Sequence, residues 1–335
     1  MPRKTAVNAS PIRRLLRRLL GLAATLLAAS LLIFVAMSVL PGDPAEVLLG
    51  MNADPAAVDA LRTEMGLDQP LPVQFARWLG GVLAGDFGES ATYAVPVTDL
   101  ILERAVVSVP LAILGVLLSV GIALPAGLLA AIRRDRGTDN LVTTLAQIGL
   151  SIPSVWLGLI LIYLFAVVMK VVPAGGFPGW DAGVGPALSA LILPAVALAA
   201  PQAAILTRIT RTAIVEAMDE DYVTLARAKG RSVAGAVARH ALPNALAPIL
   251  TIVGLQFGYL VAGAVVIETV FSLPGVGRLL FQAVSQRDLQ VVQGVVLIVV
   301  ATVVVVNTLC DGLAVWSNPR QRQRQRQRQQ RRRPA

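Results

Sequence analysis

The fold class this sequence predicts is an all-α integral membrane protein of six transmembrane helices, with the N- and C-termini in the cytoplasm. Three observations predict it. Of 335 residues, 56% are hydrophobic and 15% charged, with a mean hydropathy of +0.70. A soluble domain carries about 45–50% apolar and about 25% charged residues. Six segments reach the roughly 20 apolar residues that a helix needs to cross a ~30 Å hydrocarbon core. Lys and Arg are also segregated, 23 on one set of loops and ends and 6 on the other. The basic side of a bilayer protein is the cytoplasmic one. These figures exclude a soluble globular domain, and the apolar content excludes a disordered chain.

The elements follow in chain order. Residues 1–18 are basic, and 12–20 place Arg13, Arg14, Arg17 and Arg18 opposite Ile12, Leu15, Leu16 and Leu19. That pattern is an interfacial helix on the membrane lipids. The first span, 19–40, is too long for a signal-peptide core and lacks a small-x-small cleavage site, so it reads as retained. Residues 41–105 form an extracytoplasmic cap, acidic, with ten Asp/Glu against three Arg over 41–104. Asp54-Pro55 reads as a helix N-cap and first residue, ended at Gly66. Residues 106–316 carry the core, with spans at Val106–Ala131, Leu141–Val168, Ala187–Leu206, Leu246–Ile267 and Val291–Val315. The Ala187–Leu206 segment is the weakest, interrupted by Pro194, Pro201 and Gln202. Residues 317–335 alternate Arg and Gln, a low-complexity tail that reads as disordered and anchored to anionic lipid rather than to nucleic acid.

Within the core, residues 207–245 form the one sizeable cytoplasmic loop and read as two short helices joined at a glycine. Asp219 and Asp221 are candidate caps of the first, with Tyr222, Leu225 and Ala226 as its apolar stripe. Gly230 suits a left-handed C′ position, and Ser232 caps the second helix. Arg239 and His240 close that helix, and Pro243 stops it. Two short helices in an elbow suit a socket on a cytoplasmic partner.

Here the sequence resembles a known family. Thr224-Leu225-Ala226, Gly230 and His240-Ala241-Leu242-Pro243 follow the coupling-loop spacing of ATP-binding-cassette importer permeases. Thr224, Leu225 and His240 depart from the commonest residues of that loop. Ala226-Arg227-Ala228-Lys229-Gly230 resembles the dipeptide/oligopeptide/nickel branch. So do Pro41-Gly42-Asp43-Pro44, Gly66-Leu67-Asp68-Gln69-Pro70-Leu71, Gly85-Asp86-Phe87-Gly88-Glu89-Ser90, and Glu268-Thr269-Val270-Phe271 followed by Leu273-Pro274-Gly275-Val276-Gly277. The matches run from about residue 12 to 316. The resemblance implies a type I importer-like permease bundle in the bacterial inner membrane. It implies translocation of di- or oligopeptides, or nickel and other small peptide-like complexes, delivered by an external solute-binding protein. It also implies a second homologous permease, giving a heterodimer, and two cytoplasmic ATPases that couple through Thr224, Leu225, Ala226, Gly230, His240, Leu242 and Pro243.

The sequence has no Gly-x-x-x-x-Gly-Lys-Ser/Thr phosphate loop, and its lysines are Lys4, Lys170 and Lys229. This chain therefore offers no such site for ATP or Mg²⁺, which fall to the partner ATPases. One His (His240) and one Cys (Cys310) leave no Cys/His metal motif and no disulfide. Candidate translocation-path residues are Gln147, Gln202, Gln256, Gln293 and Asn307, polar at membrane depth and weighed against plain interhelical hydrogen bonding. Gly254, Gly258 and Ala262 lie four apart, a small-residue stripe for close packing inside the chain or against a second permease. A stand-alone secondary transporter or channel is the alternative. It would call for ionisable groups at the midplane, whereas Lys170, Glu268 and Asp311 all fall near span ends.

Overall fold

The structure, a computed structural model, describes residues 11–39, 44–50 and 53–317; the Arg/Gln tail and Pro41-Gly42-Asp43 lie outside them. Every regular element among the described residues is helical. Five helices are long and apolar enough to span a membrane, and a sixth candidate is a bent pair.

Helix α1 (Pro11–Val39) is continuous, so the expected boundary at residue 18 falls inside one helix. The arrangement of Arg13, Arg14, Arg17 and Arg18 lies outside the described side chains. Short helices α2 (Pro44–Leu49), α3 (Pro55–Glu64) and α4 (Leu71–Leu83) follow. Asp54 accepts the Ala56 amide at 3.1 Å, and Gly66 turns the chain at φ 68°, as the sequence predicts. Helix α5 (Val97–Ile132) begins nine residues earlier than the second expected span.

The third span is where the sequence reading needs correction. Residues 141–168 are not one helix. α6 (Gly137–Ser151) and α7 (Ser154–Leu161, continued as a π-helical stretch Ile162–Val168) meet at 96°. Pro153 is the cause: it drives Ile152 into extended backbone (ψ 119°), which no helix passes through. The fourth span is corrected in the opposite sense. α8 (Val184–Met218) runs unbroken through Pro194 and Pro201 and is the most thoroughly buried candidate span. α8 is therefore a central helix, and its apparent weakness reflects prolines that neighbouring helices tolerate.

The chain packs as two units. The first comprises residues up to 102 with 282–305. In it Phe34 of α1 lies edge-on to Phe75 of α4, centroids 5.4 Å apart, with Trp78 at 6.1 Å. The loop 85–96 closes on itself: Asp86 accepts the Gly88 amide at 2.8 Å and Gly88 accepts the Val97 amide at 2.9 Å. Asp288, buried, accepts from Ser90 Oγ at 2.5 Å, the Thr92 amide at 3.1 Å and the Val291 amide at 3.3 Å. It thereby caps α13 (Leu289–Ser317), which follows α12 (Val276–Gln286), and pins the loop to that helix.

The second unit comprises 103–281 with 306 onward. α8 packs against α6, α7 and α11 (Leu242–Val270). One apolar cluster joins Val107, Leu111, Leu191, Leu198, Ile267 and Phe271. A second joins Leu206, Ile214, Val237, Ala241 and Ile249. Gly254 settles the small-residue stripe at its own position: a Cβ there would meet Asn307 Oδ1 at 2.8 Å and Cys310 Cβ at 2.9 Å. It packs inside the chain against α13.

Candidate functional site

The elbow is built by three breaks in helical order. α8 ends at Met218, and α9 (Asp221–Ala228) follows after two residues. Gly230, at φ 90°, then reverses the chain, and Ser232 accepts the Gly235 amide at 3.2 Å to start α10 (Val233–Ala236). Only glycine takes that φ without strain.

Two sequence expectations fail here. The N-cap of α9 is Glu220, not Asp219 or Asp221; Asp219 instead accepts from Arg134 at 3.1 and 3.2 Å. Nor does Pro243 stop the second helix. α10 passes through a π-helical turn (Val237–Ala241) directly into α11, with Pro243 in its first turn, so 233–270 is one rod. A π turn shifts the bonding register, so the missing N–H and the ring of Pro243 are absorbed without a break.

α9 is two-faced. Val223 is fully buried, and Tyr222 and Ala226 are half-buried. Asn244 Nδ2 donates to Tyr222 Oη at 3.0 Å and to the His240 carbonyl at 2.7 Å, tying α9 to the rod. Thr224 and Leu225 face outward with Arg227, Lys229 and Gly230. The expected stripe of Tyr222, Leu225 and Ala226 thus splits. Leu225, 56% exposed, is the apolar knob, and Val223 is the anchor that the stripe omitted. His240, Leu242 and Pro243 are half-buried where the π turn passes into α11.

The root of the elbow is clamped. Arg211 of α8 makes two bonds to Asp139 of α6, at 2.5 and 2.6 Å. Asp139 is 2% exposed and also accepts the Asp135 amide at 3.0 Å. Such a fork on a carboxylate fixes orientation as well as distance. These residues are 72 apart in sequence, and nothing in the spacing signals their pairing.

A second buried carboxylate was read from sequence only as a span-end charge. Glu268 is fully buried at the end of α11. It accepts from Ser108 Oγ at 2.6 Å and from the Arg278 amide at 3.0 Å, and Ser108 in turn accepts the Val276 amide at 2.7 Å. A Cβ at Gly275 or Gly277 would fall on this carboxylate or its helix, which explains the glycines of Pro274-Gly275-Val276-Gly277. The signal available in sequence was a lone acid followed by a Gly-rich turn.

The polar candidates disperse. Gln256 Nε2 donates to the Gln202 carbonyl at 3.0 Å, an interhelical bond. Gln202 Oε1 is buried without a partner. Gln147 is exposed and 3.4 Å from Arg208 Nη1; Asn307 lies beside Gly254; Gln293 lines a cavity of the first unit. Among the described residues no group of His, Cys, Asp or Glu could hold a metal ion.

Five to six apolar helices long enough to span a bilayer, with α8 the most buried among them, define a multi-pass membrane protein. The chain belongs to the binding-protein-dependent transport system inner membrane component family: that model matches residues 123–323, and its N-terminal companion matches 11–111. It is 40% identical over 308 residues to a probable peptide ABC transporter permease of Sinorhizobium fredii, covering 92% of this chain and 98% of the relative. It is 41% identical over 309 residues to a putative peptide transport system permease of Brucella abortus, with the same coverage. It is 39% identical over 307 residues to a glutathione transport system permease of Escherichia coli K12, again over 92% and 98% of the two chains. A solved structure of the MetNI methionine ABC transporter shares the fold at a TM-score of 0.55 and 18% identity, over 65% of this chain and 96% of that one. The chain is thus an inner-membrane, multi-pass permease component of an ABC importer.

Proposed function

We propose that this chain carries peptides across the inner membrane as one half of a permease heterodimer, driven by two ATPases that grip the 219–243 elbow. The single observation that carries the reading is the outward face of α9, where Leu225 stands exposed one turn after Asp221 and one turn before Lys229. An apolar knob flanked by charges of both signs fits an apolar socket with a polar rim. The names of its relatives favour peptides, among them the tripeptide glutathione. In this reading both termini and the elbow are cytoplasmic, which the 23-to-6 charge asymmetry supports. The 41–105 cap receives the solute-binding protein. ATP binding draws the two elbows together and switches the cavity from inward- to outward-facing, and hydrolysis after delivery resets it. Thr224, Leu225, Ala226 and Gly230 form or shape the docking face, while His240, Leu242 and Pro243 brace it. Of the five polar candidates for the path, Gln256 is spent on an interhelical bond to Gln202 and Gln293 belongs to the first unit, which leaves Gln147 and Asn307 to offer uncharged groups to peptide backbone.

The test is reconstitution of the chain with its native partners in proteoliposomes. Uptake of radiolabelled peptide should require ATP inside, the binding protein outside and both permeases. Uptake by this chain alone, driven by an ion gradient, would instead make it a secondary transporter.

A further inference from the structure

The first unit holds a cavity of about 550 Å³ at the C-terminal end of α1, the first candidate span. Its apolar lining is Phe34 and Met37 from the last turns of α1, with Met65, Leu71 and Trp78. Its cationic lining is Arg62, Arg77 and Arg287. The polar groups differ in how far they are already engaged. Arg62 is paired with Asp59. Asp288 is buried and accepts three hydrogen bonds, Asp86 accepts the Gly88 amide, and Gln74 donates to the carbonyls of Leu67 and Gln69. Among the described residues Arg77 and Arg287 have no ion-pair partner. The cavity therefore offers two uncommitted cations and an apolar lining, and its complement is an anion on an apolar stem.

We propose that this cavity binds a membrane phospholipid, with the phosphodiester between Arg77 and Arg287 and the glycerol and upper acyl carbons against Phe34, Met37 and Trp78. Its volume suits a headgroup and glycerol, within the ~300–1,000 Å³ of small-molecule sites. The chains have a place to run: Leu31, Leu32, Val35 and Val39 are exposed along α1. Guanidinium forks match phosphate oxygens, and Trp belongs at the bilayer boundary. A peptide's ammonium would have Asp86 alone, which already accepts the Gly88 amide, since Asp288 is saturated, whereas two unpaired guanidiniums line the same cavity. The inference does not depend on which side α1 ends, because either leaflet places phospholipid there.

The experiment uses the purified, partner-complete transporter in detergent. Dihexanoyl-phosphatidylglycerol, inorganic phosphate, dihexanoylglycerol and a neutral tripeptide are titrated against its thermal unfolding. Native mass spectrometry then counts retained phospholipid. The wild type should be stabilised by the phospholipid alone and should retain it. Arg77→Gln and Arg287→Gln should each weaken binding on the order of tenfold, since a charge-assisted bond is lost, and together should abolish retention. Both side chains are exposed, so the variants should unfold near the wild-type temperature in the absence of lipid. Equal stabilisation by phosphate would assign the site to a free anion, and stabilisation by the tripeptide would assign it to substrate. Either result, or unchanged lipid retention in the double variant, overturns the proposal.

Discussion

Gly230 isolates backbone conformation from packing. A Cβ added there meets nothing within 4 Å, yet φ is 90°. Gly230→Val therefore carries only the left-handed strain, about 1–2 kcal/mol, or else redirects α10. Insertion should remain normal while co-purified ATPase falls. Gly230→Asn, which tolerates the left-handed region better, should retain more ATPase. Equal loss in both variants would point to a contact rather than to conformation. Glu268 poses the opposite case, a side chain whose hydrogen bonds matter more than its backbone. Glu268→Ala leaves Ser108 Oγ and the Arg278 amide buried without their acceptor, at about 1–3 kcal/mol each. Glu268→Gln keeps one acceptor oxygen and should lose less. Thermal unfolding of the purified complex should rank wild type above Gln above Ala; an Ala variant as stable as wild type would refute the buried network.

Helix α9 can be tested face against face. Leu225→Glu puts charge on the exposed side, so the helix should fold and ATPase docking should fail. Val223→Glu buries a carboxylate in an apolar contact, a several-kcal/mol cost that unfolds the elbow itself. Limited proteolysis should cut the Val223→Glu variant at 219–233 and spare Leu225→Glu; identical cleavage would refute the two-faced assignment. What the sequence made legible here was local: Gly230, Ser232 and the Asp54-Pro55 cap need only neighbours to explain them. What stayed hidden was tertiary. Pro153 bends its chain by 96° where Pro194, Pro201 and Pro243 do not. The difference lies in packing around each proline and in the π turn before Pro243, neither of which hydropathy records. The Arg211–Asp139 fork was likewise invisible, since its partners lie in different helices.

For the molecule as a whole, orientation is the property most directly open to experiment. A reporter active only outside the cytoplasm, fused within residues 53–84, should be active, and one at 133–138 silent. The reverse would overturn the charge-asymmetry argument. The clamp offers a second test at this scale. Arg211→Gln leaves the buried Asp139 with only a backbone donor, a loss of about 1–3 kcal/mol for a charge-assisted bond in a partly buried pair. Asp139→Asn combined with Arg211→Gln should recover part of that stability. The single variant should still insert, while its ATP hydrolysis should respond less to substrate; full coupling in the single variant would show that the clamp is dispensable.

Mechanically, α8 is a beam. Thirty-five residues at about 1.5 Å each make it roughly 52 Å long, with Asp219 at its tip. Its stiffness is uneven. Pro194 and Pro201 each remove a hydrogen bond from its middle, while the stretch from Gln202 to Met218 is uninterrupted and braced at Arg211. A load at the tip therefore meets a rigid arm and a compliant fulcrum. Bending concentrates between the two prolines, about 27–38 Å from the tip by the same rise per residue, so a displacement at one end of the beam emerges as a change of tilt beyond its midpoint.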